Sequence, residues 1–155
     1  MKFLNQYWLS FYKKSTIITM SILYIIVGIK HFIIPQYFIS ITPPFIPYAR
    51  EVVCLTGVIE ILGGILILME ETRTYGARLL VFLLIVVFPA NIYLYISEDP
   101  RHLIGISQNQ ALLRIPFQIP LIMIAVWHSQ KASHKYLEKA CVVLFPVTII
   151  YFLSL

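Results

Sequence analysis

The chain has 155 residues, of which 59% are hydrophobic and 12% are charged, and its formal net charge is +5. Soluble globular domains average roughly 25% charged residues, so this composition excludes an ordinary soluble domain and predicts an integral membrane protein with a single bundle. The basic residues are scattered between apolar runs and form no continuous face, so nucleic acid is not an expected partner.

The N-terminal residues 1–14 carry aromatic side chains at helical spacing and predict an amphipathic helix at the membrane interface. Apolar runs follow, and a helix that spans the bilayer needs about 20 residues. Four runs fit this length and predict a four-helix transmembrane domain over residues 15–128. The predicted spans are residues 15–34, 52–69, 75–96 and 111–128.

A basic linker, expected to be cytoplasmic, and one more apolar run make up residues 129–155. The run over residues 140–155 is shorter and contains Pro146. It predicts a fifth spanning helix, with a tilted or re-entrant segment as the alternative. The predicted fold is therefore an all-α membrane protein, a four-helix transmembrane bundle with a fifth C-terminal transmembrane helix.

Two of the connecting segments are distinctive. Residues 35–50 hold four of the nine prolines, which argues against a regular helix. This proline-rich segment is too apolar to extend freely into water, so we expect it on the outer bilayer surface or across the mouth of the bundle. Residues 97–110 are predicted to be a polar loop.

The distribution of basic residues predicts an orientation. Eight lysines and arginines flank one side of the predicted spans, and four lie on the other side. Cytoplasmic loops are enriched in lysine and arginine. The chain is therefore expected to have a cytoplasmic N-terminus and a loop 97–110 outside.

A single carboxylate, Glu60, lies near the middle of the second apolar run. An unpaired charge at this depth would cost several kcal/mol, so a compensating partner is expected. Gly57 and Gly64 share a helix face with Glu60, and small residues mark faces where helices pack closely. Glu60 is therefore predicted to point into the bundle. Its candidate partners on the other spans are Lys30, His31, Asn91, Arg114 and Gln118.

These polar residues are predicted to lie at similar depths in the bilayer. At a rise of 1.5 Å per residue, all of them fall in the outer half of the bilayer, whereas the inner halves of the spans show almost no polar side chains. This clustering predicts a polar pocket that opens toward the outer side and is covered by the proline-rich segment.

Two interpretations of this cluster remain open. In the structural one, Glu60 pairs with Arg114 or Lys30 and fixes the register of the helices. In the functional one, the cluster binds a small molecule with a polar head and an apolar tail, such as a quinone or a lipid. No catalytic residue and no intrinsic cofactor is predicted. No two histidines have the spacing of metal ligands, so no metal site is expected.

Five strings of the sequence resemble the DoxX-like family of small integral membrane proteins. They are GIKHFIIPQYF (28–38), ITPPFIP (41–47), GVIEILGGILIL (57–68), FPANIYLYI (88–96) and LLRIPFQIPL (112–121). The resemblance implies a four-helix bundle in a bacterial cytoplasmic membrane. Some relatives are subunits of quinone-linked sulfur-oxidising or terminal oxidase complexes, others accompany redox enzymes, and distant animal relatives assist receptor assembly.

The function expected from these features is a quinone- or lipid-binding membrane subunit, or a partner, of a redox complex. Because the sequence has no self-sufficient catalytic motif, the chain is expected to be a subunit or partner rather than a complete enzyme. Two alternatives stay open. One is a non-catalytic membrane scaffold or assembly chaperone whose polar cluster is structural, and the other is a small-solute or proton conduit.

Overall fold

The computed structural model of the chain describes residues 2–130 and 134–153. The central part of the predicted basic linker, residues 131–133, and the last two residues of the predicted fifth span lie outside these ranges. The helices of the described residues are α1 (Lys2–Ile33), α2 (Pro35–Ser40), α3 (Ala49–Leu68), α4 (Arg73–Ile96), α5 (Glu98–Ile104), α6 (Gln108–Ser129) and α7 (Lys135–Leu153).

Five of these helices are long and apolar enough to cross a membrane: α1 from Tyr7 onward, α3, α4, α6 and α7. This confirms the predicted all-α membrane fold, including the fifth C-terminal helix. The chain is a multi-pass membrane protein. The predicted interfacial helix and the first predicted span form one continuous helix, α1, and the exposed side chains of Tyr7, Trp8 and Phe11 lie near its start.

Successive spans are joined by short connections and therefore alternate in direction. One end of the bundle carries α2 and α5 and is called the α2–α5 end below. The opposite end carries the start of α1, the α3–α4 turn and the start of α7, and is called the Lys13 end. The spans pack in the order α1, α3, α4, α6 and α7.

Glycines allow α1 and α3 to approach closely. A Cβ atom added to Gly28 would lie 2.7 Å from the carbonyl oxygen of Gly57, and one added to Gly64 would lie 2.9 Å from the carbonyl oxygen of Ser21. Small residues bring helix backbones together in membranes, where packing replaces the hydrophobic effect as the driving force for association. The predicted inward face of Gly57, Glu60 and Gly64 is therefore the face that contacts α1.

The apolar core lies closer to the Lys13 end than the polar cavity described below. Leu80, Trp127 and Cys141 are fully or almost fully buried there, together with Ile67 and Ile124. Gly63 contributes to this packing, because a Cβ atom at this position would lie 2.5 Å from the Leu80 side chain. The core therefore fixes the α3–α4 pair against α6 and α7.

Both connecting segments contain more helix than the sequence indicates. Pro35 occupies the first turn of α2, where the missing N–H of proline is not needed. The predicted polar loop 97–110 forms α5 and the first turn of α6. Gly105, at φ 71°, ends α5 in the left-handed conformation. Ser107 and Gln110 form a capping box at the start of α6.

Candidate functional site

A cavity of about 420 Å³ lies between α1, α3, α4, α6 and α7, toward the α2–α5 end. Five of the six predicted site residues line it, and they come from four different spans. These residues are Lys30, Glu60, Asn91, Arg114 and Gln118. The sixth, His31, does not line the cavity, but its ring contacts Glu60. The convergence expected from the sequence is therefore present in the fold.

The rest of the cavity wall is almost entirely apolar. Leu84 and Leu121 lie about two turns closer to the Lys13 end than Asn91 and Arg114, so aliphatic residues extend the cavity wall beyond these two polar residues. The wall also includes two exposed side chains, Leu153 of α7 at 69% and Ile26 of α1 at 45%. The cavity therefore opens through an apolar surface between α1 and α7, which faces the lipid in a membrane.

The basic side chain that lies against Glu60 is His31, one of the candidate partners identified from the sequence. The Oε2 atom of Glu60 lies 3.3 Å from Nδ1 of His31. That nitrogen is also 2.9 Å from the carbonyl oxygen of Val27, to which it donates its hydrogen. Glu60 Oε2 is buried and has no hydrogen-bond partner within the described ranges. One carboxylate oxygen is therefore left as an acceptor for a further group.

The predicted ion pair between Glu60 and Arg114 or Lys30 is wrong. Within the described part of the chain, His31 is the only basic side chain with a nitrogen within 4.0 Å of the Glu60 carboxylate. The physical reason is proximity, because Gly28 and Gly57 bring α1 and α3 close enough for the short histidine side chain to reach Glu60. Lys30 lines the cavity from an exposed position near the end of α1.

Arg114 is held from the other side by the proline-rich segment. Its Nη2 atom donates a hydrogen bond to the hydroxyl oxygen of Tyr37 in α2, at 3.2 Å. Its Nε atom is buried without a hydrogen-bond partner among the residues described. The neighbouring Phe38 ring stacks on His31, with ring centroids 3.6 Å apart. The segment thus covers the polar cluster through α2, as predicted in outline, although none of its residues lines the cavity.

Asn91 and Gln118 join α4 to α6. Asn91 Nδ2 donates to Gln118 Oε1 at 2.7 Å, and Gln118 Nε2 donates to the carbonyl oxygen of Leu84. Pro89 has no N–H, and the sequence predicts that it frees a carbonyl one turn earlier in α4. The carbonyl that accepts the side-chain hydrogen bond is the adjacent one, at Leu84. Both amides are therefore at least partly engaged within the protein.

Sequence reasoning missed Tyr24 as part of the site. This side chain lines the cavity, and its buried hydroxyl has no hydrogen-bond partner in the described structure. The sequence interpretation assigned most tyrosines to the membrane interface. A signal was available, because Ser21, Tyr24, Gly28 and His31 follow helical spacing on one face of α1. That face packs against the face of α3 that carries Glu60.

The expectation that the inner halves of the spans lack polar side chains is wrong. Thr16, Ser21, His128 and Thr148 are all buried, with 0–2% of their surface exposed. Nε2 of His128 lies 3.0 Å from Oγ1 of Thr16. The position of His128 at the end of the fourth apolar run predicts an interfacial residue without a specific role, but the contact with Thr16 of α1 places it inside the bundle. Serines, threonines and histidines within apolar runs thus form a second polar region.

The described residues contain no group of three or more His, Cys, Asp or Glu side chains that could hold a metal ion.

No curated protein and no solved structure shows significant similarity to the chain. A family described as a domain of unknown function, DUF8561, matches residues 20–129, a region that includes all six predicted site residues and leaves out α7. This match covers more than two thirds of the 155 residues, and the chain belongs to the DUF8561 family.

Proposed function

We propose that this protein binds an amphipathic small molecule, a quinone or a lipid, in the cavity between its spans, and that it acts as a membrane subunit or partner of a redox complex. The observation that supports the proposal is the cavity itself. It combines polar side chains from four spans with an otherwise apolar wall and an opening on the lipid-facing surface.

The volume and the unpartnered atoms suit such a ligand. Binding sites for small molecules usually enclose about 300–1,000 Å³ and combine apolar walls with a few convergent polar groups. Arg114 Nε is a buried donor without a partner in the described residues, and Glu60 Oε2 is a buried acceptor in the same state. A head group with an oxygen acceptor and a hydroxyl donor would satisfy both atoms, while its tail would leave through the apolar opening.

The resemblance to the DoxX-like family supports the same proposal. The strings that resemble that family include His31, Glu60, Asn91, Arg114 and Gln118. This resemblance is the basis for proposing a bacterial cytoplasmic membrane as the location and a redox complex as the partner. The chain has no self-sufficient catalytic motif, so we propose that turnover resides in the partner protein.

Ligand retention provides the test. The wild-type protein, Glu60→Gln and Arg114→Gln are purified in mild detergent, and bound quinones and lipids are quantified by mass spectrometry. We expect a molecule that co-purifies with the wild type at near-stoichiometric amounts and falls at least tenfold in both variants, because Glu60→Gln replaces one carboxylate oxygen and its charge by an NH2 group and Arg114→Gln removes the buried Nε donor.

Arg50→Gln and Glu51→Gln are matched controls. Both residues are exposed in the first turn of α3, outside the cavity, so the same changes of charge there should leave the bound molecule in place. The proposal fails if the wild type retains no quinone or lipid above the level of the controls, or if folded Glu60→Gln and Arg114→Gln retain it fully.

A structural role is the second candidate, and the Asn91–Gln118–Leu84 hydrogen bonds favour it. These bonds connect α4 to α6 without any ligand. If the protein is a scaffold or assembly chaperone, the cavity variants will lose thermal stability or partner assembly without the loss of any bound molecule. The same preparations therefore distinguish the two functions when thermal unfolding is measured beside mass spectrometry.

The proposed orientation, with the N-terminus in the cytoplasm, has its own test. An epitope tag at residue 1 is expected to be protected from protease added to intact cells, and a tag inserted after Gly105 should be cleaved. Gly105 lies between α5 and α6, in an exposed turn where an insertion breaks neither helix. Cleavage of the first tag and protection of the second would reverse the orientation.

A further inference from the structure

We propose that the molecule in the cavity is a lipid whose head group carries both a negative charge and a hydroxyl, as a phosphoglycerol head group does, and that the cavity selects it over a neutral quinone. This inference rests on the proposed binding function and names the class of ligand. Its basis is the formal charge of the cavity wall, together with the polar atoms that the protein leaves unpaired there.

The cavity wall has an excess of positive charge. It contains two side chains that are cationic at neutral pH, Lys30 and Arg114, and one carboxylate, Glu60. His31, which contacts Glu60 without lining the cavity, adds either no charge or one more positive charge. The site therefore keeps a surplus of at least one positive charge whether Glu60 and His31 are protonated or not.

Arg114 lacks a counter-ion in the described part of the chain. All seven aspartate and glutamate side chains lie in that part, and none has an oxygen within 4.0 Å of the guanidinium nitrogens. Arg114 donates a hydrogen bond to the neutral Tyr37, and its buried Nε has no partner. An arginine side chain stays protonated in proteins, and a charge inside a membrane bundle is normally paired. An anionic oxygen of the ligand would supply the missing partner.

The positions of the two cations suit the head group of a lipid. Arg114 lies six residues after the start of α6, about 9 Å along the helix at 1.5 Å per residue, and Lys30 is exposed near the end of α1. A guanidinium group binds a phosphate through two parallel hydrogen bonds, and lysine adds a point charge. The carbonyl oxygens of a quinone accept hydrogen bonds but carry no charge, so they would leave the surplus uncompensated.

Two further unpaired atoms favour a hydroxyl on the same head group. Glu60 Oε2 and Tyr24 Oη are buried without a hydrogen-bond partner among the described residues, and both side chains line the cavity. A Cβ atom added to Gly28, one turn after Tyr24 on the same face of α1, would lie 3.1 Å from the Cβ atom of Glu60. A hydroxyl donates one hydrogen bond and accepts others, so it can serve the carboxylate, the phenol or both.

Four probe molecules separate the charge from the hydroxyl. Dioleoyl phosphatidylglycerol has both groups, dioleoyl phosphatidylmethanol has the charge alone, dioleoylglycerol has the hydroxyl alone, and menaquinone has neither. Each is titrated against the purified protein in detergent, and one-to-one complexes are counted by native mass spectrometry. We expect phosphatidylglycerol to bind the wild type at least tenfold more tightly than each of the other three.

The variants assign the two contacts. Arg114→Gln should weaken phosphatidylglycerol at least tenfold, to the level of dioleoylglycerol, because the charge is no longer recognised. Glu60→Gln should also weaken it at least tenfold, to the level of phosphatidylmethanol. Lys30→Gln should weaken both anionic lipids at least threefold and leave dioleoylglycerol and menaquinone unchanged.

Arg50→Gln is the matched control for the loss of a positive charge. Arg50 is exposed in the first turn of α3, at the same end of the bundle but outside the cavity, so its removal should change no affinity. An equal loss of anionic lipid in Arg50→Gln and Lys30→Gln would overturn the proposal, because surface charge alone would then explain the binding.

The remaining outcomes distinguish this inference from the proposed function. Menaquinone that binds as tightly as phosphatidylglycerol, and is lost in Arg114→Gln, would overturn the anionic ligand and leave the binding function intact. Binding of none of the four probes would refute both. Thermal unfolding is measured on every sample. If Arg114→Gln does not fold, the exposed Lys30→Gln decides, and wild-type affinity for phosphatidylglycerol in that variant would overturn the proposal.

Discussion

Gly28→Val is expected to destabilise the protein by about 1–3 kcal/mol, the usual cost of forcing extra atoms into a close-packed contact. The Cβ atom alone would lie 2.7 Å from the carbonyl oxygen of Gly57 and 2.7 Å from the Ile61 side chain. Because one of these neighbours is backbone, α1 and α3 would have to move apart. The measurement is the midpoint of thermal unfolding in detergent, followed by circular dichroism.

The separation of α1 from α3 should also affect the site. It would increase the 3.3 Å distance between His31 and Glu60, so any bound molecule should be lost together with stability. Val58→Phe is the control, since Val58 is on α3 but is 42% exposed and points away from the bundle. A Gly28→Val protein that unfolds at the wild-type temperature would show that the glycine contact is not needed.

Gln118→Leu should cost about 1–3 kcal/mol, because it leaves the side-chain amide of Asn91 without its partner. It also removes the side-chain hydrogen bond to the carbonyl oxygen of Leu84. Leucine has a similar size, so the loss should come from hydrogen bonding and not from a large void. The expected result is a lower unfolding midpoint.

Gln108→Leu is the matched control for this prediction. Gln108 is exposed at the start of the same helix, α6, and its side chain makes no hydrogen bond within the described structure. It should leave the unfolding midpoint almost unchanged. If Gln118→Leu is as stable as the wild type, water in the cavity must replace both hydrogen bonds, and α4 and α6 must be held together by apolar contacts alone.

The spans were predictable because hydrophobicity extends along each of them. The predicted run 52–69 corresponds to α3, Ala49–Leu68, and the runs 75–96 and 111–128 agree with α4 and α6 to within three residues. The first and fifth spanning helices, α1 and α7, begin 13 and five residues before their predicted spans. The ends were less predictable, because polar residues also form helix. Residues 108–110 have the polar composition of a loop, yet the Ser107 capping box starts α6 there.

The site was predictable where a charge or an amide interrupts an apolar run. Glu60, Asn91, Arg114 and Gln118 stand out for that reason. The pairing of Glu60 with His31 was not predictable, since it depends on the register of α1 against α3. Tyr24 was missed because a tyrosine has an apolar body and fits both a membrane interface and a buried pocket.

The length of α1 has a consequence for how the protein sits in bilayers of different thickness. Its 32 residues extend about 48 Å at 1.5 Å per residue, well beyond a hydrocarbon layer of about 30 Å. The exposed rings of Tyr7, Trp8 and Phe11 lie at the end far from the cavity. A difference between the length of α1 and the thickness of the bilayer can therefore be accommodated at that aromatic end, where the helix slides or tilts in the membrane. Glu60 and Arg114 then stay at a constant distance below the opposite head groups.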